Sequence, residues 1–120
     1  MPGVEPILAA MPYDIQLASR IRQVLLAEPG LSEKRMFGGL AFMLDATMAV
    51  CAGSSGGLMV RVDPALLESL TELSHARPFE MRGQAMSGWL HVDGEALGDD
   101  DDLRRWVAHG VARARSLAAQ

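Results

Sequence analysis

The chain has 120 residues, of which 49% are apolar, so it can bury one hydrophobic core but is too short for two ordinary domains. Its formal net charge of −4 argues against a domain that coats DNA phosphates, and its single cysteine excludes an intramolecular disulfide. No apolar run approaches about 20 residues, so no membrane span is expected. These features predict a small soluble domain in the cytoplasm.

The first twelve residues are predicted to be an extension before a single domain over residues 13–118. Three prolines and a glycine flank its short apolar patch, Ile7 to Met11. The patch lacks the charged start and the length of a secretory signal. Two interpretations stay open: a surface arm, or a biological start at Met11.

A first helix is predicted from about Pro12 to Ala27. Asp14 in its first turn suits the positive end of the helix dipole, and Pro29-Gly30 ends the helix. Apolar residues recur at spacings of three and four, which places them on one face: Leu17, Ala18, Ile21, Val24 and Leu25.

Four strand-like runs follow, over residues 33–37, 40–44, 48–52 and 58–62. The segments that separate them are too short for a parallel crossover, which needs a dozen residues or more. The runs are therefore predicted to form an antiparallel meander, broken first at Gly38-Gly39.

Asp63-Pro64 predicts the start of a second helix over residues 64–73, because aspartate caps helices and proline suits their first position. Its buried residues are expected to be Leu66, Leu67, Leu70 and Leu73. A loop over residues 74–77 leads to short strands at 79–81 and 89–92, which a glycine-bearing loop over residues 83–88 separates.

The last helix is predicted over residues 99–117, with aspartates at its start and Arg113 and Arg115 near its end, as the helix dipole favours. Its apolar stripe comprises Leu103, Trp106, Val107, Gly110, Val111, Ala114 and Leu117. The predicted fold is two-layer α+β, an antiparallel sheet packed with helices in the order α–β meander–α–β hairpin–α.

Alternation along the strands predicts two faces of the sheet. The helix-covered face is expected to carry Leu40, Phe42, Leu44, Val50, Leu58, Val60 and Val62. The opposite face is expected to carry Ala41, Met43, Ala49, Cys51, Met59 and Arg61. This face is too apolar for open water, so either the chain's own terminal helix or a partner covers it. In the second case Met43, Cys51, Met59 and Arg61 form an interaction surface, which flexible methionine adapts to a partner.

The residues that carry catalysis or bind metals do not occur at the spacings such sites require. The histidines, His75, His91 and His109, are predicted in a loop, a strand and a helix, without metal-ligand spacing. Cys51 is predicted mid-strand, where inert packing is the default. Aspartates 99–102 lack the pattern of a calcium loop. The sequence therefore predicts no catalytic residue, no metal and no cofactor, and leaves an unrecognised enzyme as an alternative.

Gly38 and Gly39 directly follow the aromatic Phe37, and two adjacent glycines permit unusual backbone angles. Their segment predicts either a tight bend at the sheet edge or a place where a ligand approaches the backbone. In the second case the ligand-approach residues are Arg35, Phe37, Gly38 and Gly39.

Four segments carry a recognisable order of residues: EKRMFGGLAFM at 33–43, GLMVRV at 57–62, GWLHV at 88–92, and residues 105–117, which begin with RWV and end with RSL. Together they resemble the N-terminal domain of the TfoX/Sxy family over about residues 11–118. The resemblance implies a two-layer α+β fold and a link to regulators of bacterial competence, which are similar to transcriptional coactivators acting with the cyclic-AMP receptor protein. Those regulators usually carry a second, C-terminal helical domain. The sequence ends at Gln120 without one, so a stand-alone N-terminal domain is expected here.

The function predicted from the sequence is a non-catalytic regulatory or protein-interaction module. Its expected partner is another protein or a second copy of the chain. Neither tight binding to nucleic acid nor binding to a membrane is expected. A small-molecule-binding domain that uses the Arg35–Gly39 bend and the Trp89 region is an alternative.

Overall fold

The computed structural model describes residues 14–36, 38–53, 56–72 and 75–119, so the predicted extension, Phe37 and Leu73 lie outside the described residues. The described strands form one antiparallel six-stranded sheet in the order β1-β2-β3-β4-β6-β5. The elements are α1 (Ile15–Val24), β1 (Leu31–Met36), β2 (Gly39–Leu44), β3 (Thr47–Ala52), β4 (Leu58–Arg61), a 3-10 turn (Pro64–Leu66), α2 (Leu67–Thr71), β5 (Ala76–Met81), β6 (Gln84–Val92), a second 3-10 turn (Gly94–Leu97) and α3 (Asp100–Ala118). The predicted α+β class is confirmed.

The predicted meander is confirmed as β1 to β4, and β6 pairs antiparallel with β4, so the hairpin extends the same sheet. The edge strands are therefore β1 and β5. Four consecutive residues of β1, including three charged ones, are exposed, and β5 contains Pro78. Charge and proline both discourage an edge from pairing with another chain.

The hairpin is longer than predicted, since β5 begins at Ala76 and β6 at Gln84. Residues 76–77 and 84–88 were predicted in loops, and that prediction is wrong because they belong to these strands. The turn between them is only Arg82-Gly83, with φ of 55° and 80°, the left-handed pair that suits a two-residue hairpin. Pairing with β5 thus holds residues 84–88 in a strand although Gln, Ser and Gly are poor strand formers.

Aspartates cap the helices as their sequence positions suggest. The Asp14 carboxylate accepts from the Leu17 amide at 3.0 Å and the Asp63 carboxylate from the Ala65 amide at 2.9 Å. Asp14 is thus the N-cap of α1 and not part of its first turn. The predicted second helix is shorter, a 3-10 turn and one α-helical turn, and its Leu66 is 42% exposed where burial was expected.

The helices α1 and α3 pack on one face of the sheet and form the main core there. Strand residues such as Phe42, Val50 and Val60 are fully buried against Ile21 and Leu103 of the helices. At Gly110 the backbone of α3 approaches β3 so closely that an added Cβ would lie 2.5 Å from the Ala49 carbonyl oxygen. The predicted helix-covered face is thus confirmed. Five members of the predicted stripe of the last helix are buried, and Val111 and Leu117 are only half-buried.

One residue was predicted on the wrong face. The register between β2 and β3 shifts between Phe42, which pairs with Val50, and Met43, which pairs with Met48. The extra residue, Ala49, forms a β-bulge and packs against Ala114 of α3. Simple alternation fails at such a bulge, so Met48 takes the place on the opposite face that was predicted for Ala49.

Candidate functional site

The face of the sheet opposite the helices carries a second apolar cluster, which we call the methionine face. Every one of the six strands contributes to it, and none of its members in the described part of the chain comes from a helix. One of the two sequence-based alternatives was that the chain's own terminal helix covers this face. Among the described residues, no helix contributes to the cluster, so that alternative is not supported. The cluster comprises Met36, Ala41, Met43, Met48, Cys51, Met59, Phe79, Met86 and Trp89.

The methionine face has a floor and a rim. Ala41 and Cys51 are fully buried and Met59 is 3% exposed, so these residues form the floor. Met36, Met43 and Met86 are only partly buried and form the rim. A pocket of about 390 Å³ lies between Met59 of the floor and the three methionines of the rim, and it is lined also by Ala46, Thr47, Met48, Arg61 and Trp89.

Arg61 is the charged side chain of this pocket, and two contacts hold its guanidinium in place. Its Nε–H donates to the Met48 carbonyl oxygen at 2.7 Å, and its Cζ lies 4.5 Å from the Trp89 ring centroid. Burial, together with repulsion from Arg113, lowers the pKa of Arg61, which nevertheless stays charged at neutral pH. Among residues 14–36, 38–53, 56–72 and 75–119, no carboxylate lies within 4.0 Å of this guanidinium.

A row of paired residues crosses the methionine face from one sheet edge to the other. The strand register places them side by side in the order Lys34, Ala41, Cys51, Met59, His91 and Arg77. Directly paired residues of antiparallel strands point to the same face. The row is therefore apolar in its middle and carries a cationic residue at each end.

At the Arg77 end of the row, several titratable residues converge on Asp93. Its Oδ1 lies 2.7 Å from Arg77 Nη1 and 3.2 Å from His91 Nε2, and its Oδ2 lies 3.7 Å from His75 Nδ1. The hydrogen bond from Arg77 lowers the pKa of Asp93, while burial and then Arg77 lower the pKa of His91. The ion pair between Arg77 and Asp93 is the contact in this cluster that joins two permanently charged groups.

The same cluster contains a possible metal-ligand set, which sequence spacing did not reveal. Ligand atoms of His75, Asp93 and Glu95 lie within 4.8 Å of one another. Pairing of Ala76 with Val92 brings these residues together, so only the strand register could have found them. Glu95 is 82% exposed and Arg77 already occupies Asp93, so the geometry alone assigns no metal here.

At the double-glycine segment, Gly38-Gly39, the backbone approaches strand β3 closely. Gly38 has φ of 74°, and a Cβ added at Gly39 would lie 2.2 Å from the Ala52 carbonyl oxygen. The chain's own backbone thus occupies the space that the second glycine leaves, as a tight bend requires. Arg35 pairs with Leu40 across this bend. The approach of a ligand to Arg35, Gly38 and Gly39 stays a prediction, and Phe37 lies outside the described residues.

The sequence-predicted surface residues Met43, Cys51, Met59 and Arg61 all lie on the methionine face. They differ in depth, since Met43 and Arg61 are partly exposed whereas Cys51 and Met59 belong to the floor. Burial raises the pKa of the Cys51 thiol to about 11, so the thiol stays neutral and is a poor nucleophile near neutral pH.

A family model matches most of the chain. The model is that of the TfoX N-terminal domain, and it covers residues 24–114, about three quarters of the sequence. All six strands and most of α3 lie within the matched residues. No curated protein matches the sequence. No helix of the described residues is long and apolar enough to cross a membrane.

Proposed function

The chain belongs to the family of TfoX N-terminal domains, and we propose that it is a non-catalytic module that binds a partner protein through its methionine face. The observation that carries the proposal is a second apolar sheet face, built by all six strands, over which the described residues place no helix. Apolar surface of this kind on a small domain marks an interaction site. Methionine suits such a site because its unbranched side chain adapts to a second surface.

The sheet edges support contact through the face. Strand addition by a partner needs an edge with accessible backbone groups and no obstacles. Here β1 exposes Glu33, Lys34 and Arg35, and β5 carries Pro78. Both edges thus discourage added strands, which leaves the side chains of the methionine face as the means of recognition.

The match to the TfoX N-terminal domain supports a regulatory context for this binding. We propose that this context is competence and transcription in the bacterial cytoplasm. The net charge of −4 favours action through protein contacts over direct binding to DNA phosphates. The module therefore acts by binding a regulator protein.

A small-molecule-binding domain is the second candidate, and the pocket of about 390 Å³ is the observation that favours it. Its volume falls within the range of ligand sites, and its lining is mainly apolar with one cationic residue. A ligand there would occupy the surface that the first candidate assigns to a protein.

The test compares capture by the full chain with capture by Met43→Glu in extracts of the cells that make it, followed by quantitative mass spectrometry. Met43 lies on the rim, so a charge there disturbs the surface more than the core. The matched control is Leu26→Glu, a charge added at an apolar residue that is 71% exposed.

Proteins retained by the parent and by Leu26→Glu but lost with Met43→Glu are the expected result. Thermal melting checks that both variants are folded, and light scattering of the parent over a concentration series detects self-association. Equal capture by all three folded proteins, with a monomeric parent, would contradict a protein-binding role for this face.

A further inference from the structure

We propose that the segment bound by the methionine face is an acidic amphipathic helix of another protein, whose apolar side chains enter the pocket and whose carboxylate pairs with Arg61. The inference rests on the proposed function and adds the chemistry of the partner. Three features of the face carry it: the sign of its charges, the fixed geometry of Arg61 and the blunted sheet edges.

The charges of the face have one sign over its first four strands. In the described part of β1 to β4, the charged residues that point to this face are Lys34 and Arg61, since Glu33 and Arg35 pair with Phe42 and Leu40 of the helix-covered face. At the opposite edge Asp93 is already bound to Arg77, and the exposed Glu80 lines a separate pocket with Arg77 and His91. An apolar partner with carboxylates therefore complements the face, whereas a basic partner meets repulsion.

A second copy of the chain is a poorer occupant. A two-fold contact between two methionine faces would bring the cationic Lys34 and Arg61 of both copies into one interface. The acidic start of α3 also has partners within the chain, because Asp100 binds Arg20, Asp101 binds Arg104 and Asp102 binds Arg105. The acidic start of α3 therefore has few free carboxylates to offer to this surface of a second copy.

Arg61 is positioned to bind a carboxylate before any partner arrives. The Nε–H bond to Met48 and the stacking on Trp89 fix the guanidinium, while no described carboxylate is within ion-pair distance of its Nη groups. A planar guanidinium held in this way binds a carboxylate through two parallel hydrogen bonds. Partial burial makes such a pair stronger than one on an open surface.

A helix fits the face better than an extended segment does. Extended peptides usually gain affinity by pairing with a sheet edge, and both edges here are obstructed by charge or proline. A helix satisfies its own backbone hydrogen bonds and needs only an apolar groove for its side chains. The half-buried rim of Met36, Met43 and Met86 around the pocket provides one.

The test uses two synthetic amphipathic peptides of about 18 residues, because shorter isolated helices are marginal in water. Both carry leucine at helical spacing; one has glutamate beside the apolar stripe and the other has lysine at the same positions. The full chain, labelled with ¹³C on its methionine methyl groups, is titrated with each peptide at low salt and observed by NMR.

We expect the glutamate peptide to shift the methyl signals of Met36, Met43 and Met86 and to bind at least about tenfold more tightly than the lysine peptide. Arg61→Gln is expected to remove most of that preference and Arg61→Lys to restore part of it. Arg104→Gln changes an exposed arginine of α3 and serves as the matched control, with the preference unchanged.

Equal binding of the two peptides, or a preference that survives Arg61→Gln in a folded variant, would overturn the inference. Methyl shifts that depend on protein concentration alone would assign the face to a second copy. In a separate titration with decanoate, saturation of the face that neither peptide reverses would assign it to a small amphiphile. Either result also overturns the acidic helix.

These outcomes separate the inference from the proposed function. If Met43→Glu abolishes capture of a cellular protein while Arg61→Gln leaves the peptide preference intact, protein binding stands and the acidic helix is wrong. If neither substitution has an effect, both proposals fail.

Discussion

The two faces of the sheet are both apolar but are built from different side chains. The helix-covered face buries branched and aromatic residues such as Phe42, Val50 and Val60 under α1 and α3. The methionine face covers its small floor residues with flexible methionines and one stacked arginine. Stiff side chains suit a permanent interior, and adaptable ones suit a contact that forms and dissociates.

The largest losses of stability are expected on the helix-covered side, and Trp106→Ala should give one of them. Trp106 is 8% exposed and packs in the main core, so its removal should cost about 3–5 kcal/mol in the free energy of unfolding. Thermal or urea denaturation measures the loss. A variant that melts within about a degree or two of the parent would show that α3 contributes little to the core, since about 1 kcal/mol shifts the melting temperature of a small domain by several degrees.

Adjacent residues of β2 compare the two faces directly. Phe42 is fully buried beneath the helices, and Met43 lies on the partly exposed rim. Phe42→Ala should cost about 3–5 kcal/mol, whereas Met43→Ala should cost about 1 kcal/mol because less apolar surface is buried there. Urea denaturation of both variants gives the two free energies. Equal losses would mean that the methionine face is as much a core as the other face.

A smaller loss of stability is expected from Gly110→Ala, because α3 packs closely on the sheet at this residue. In an exposed helix, Gly→Ala stabilises by about 1 kcal/mol. At Gly110 the new methyl group would lie 2.5 Å from the Ala49 carbonyl oxygen, so Gly110→Ala should instead destabilise the domain by about 1–3 kcal/mol.

Gly98→Ala is the matched control for that substitution. No atom lies within 4 Å of the position its Cβ would take, and its φ of −65° suits alanine. Its stability should stay the same or rise by up to about 1 kcal/mol. If Gly110→Ala is also neutral in urea denaturation, α3 moves on the sheet more freely than its packing indicates.

The fold was predictable because apolar periodicity and turn residues agree along most of the chain. The stripe of α3 and the four strands of the meander follow from spacing alone. The hairpin was underestimated because residues 84–88 have weak strand propensity, and pairing with β5 decides their structure. Local sequence does not contain that long-range contact.

The members of the candidate surface were predictable from strand alternation. The prediction was wrong at the β-bulge, where the alternation is interrupted. Met43, Cys51, Met59 and Arg61 were predicted on one face and lie there, whereas the bulge moves Ala49 to the other. The stacking of Arg61 on Trp89 depends on the pairing of β4 with β6. The cluster around Asp93 depends in the same way on the register of β5 and β6.

The last effect concerns the floor of the methionine face and appears only at high pH. Burial raises the pKa of Cys51 from 9.0 to about 11 in the folded chain. The unfolded chain therefore loses its thiol proton first, so the contribution of this thiol to stability is complete below pH 9 and is lost as pH rises towards 11. The free energy of unfolding of the parent should then fall more steeply over this range than that of Cys51→Ala, which shares every other titrating group. Urea denaturation of the two proteins at a series of pH values gives the difference; parallel pH profiles would mean that water reaches the thiol, and the floor would then not be closed beneath the methionine rim.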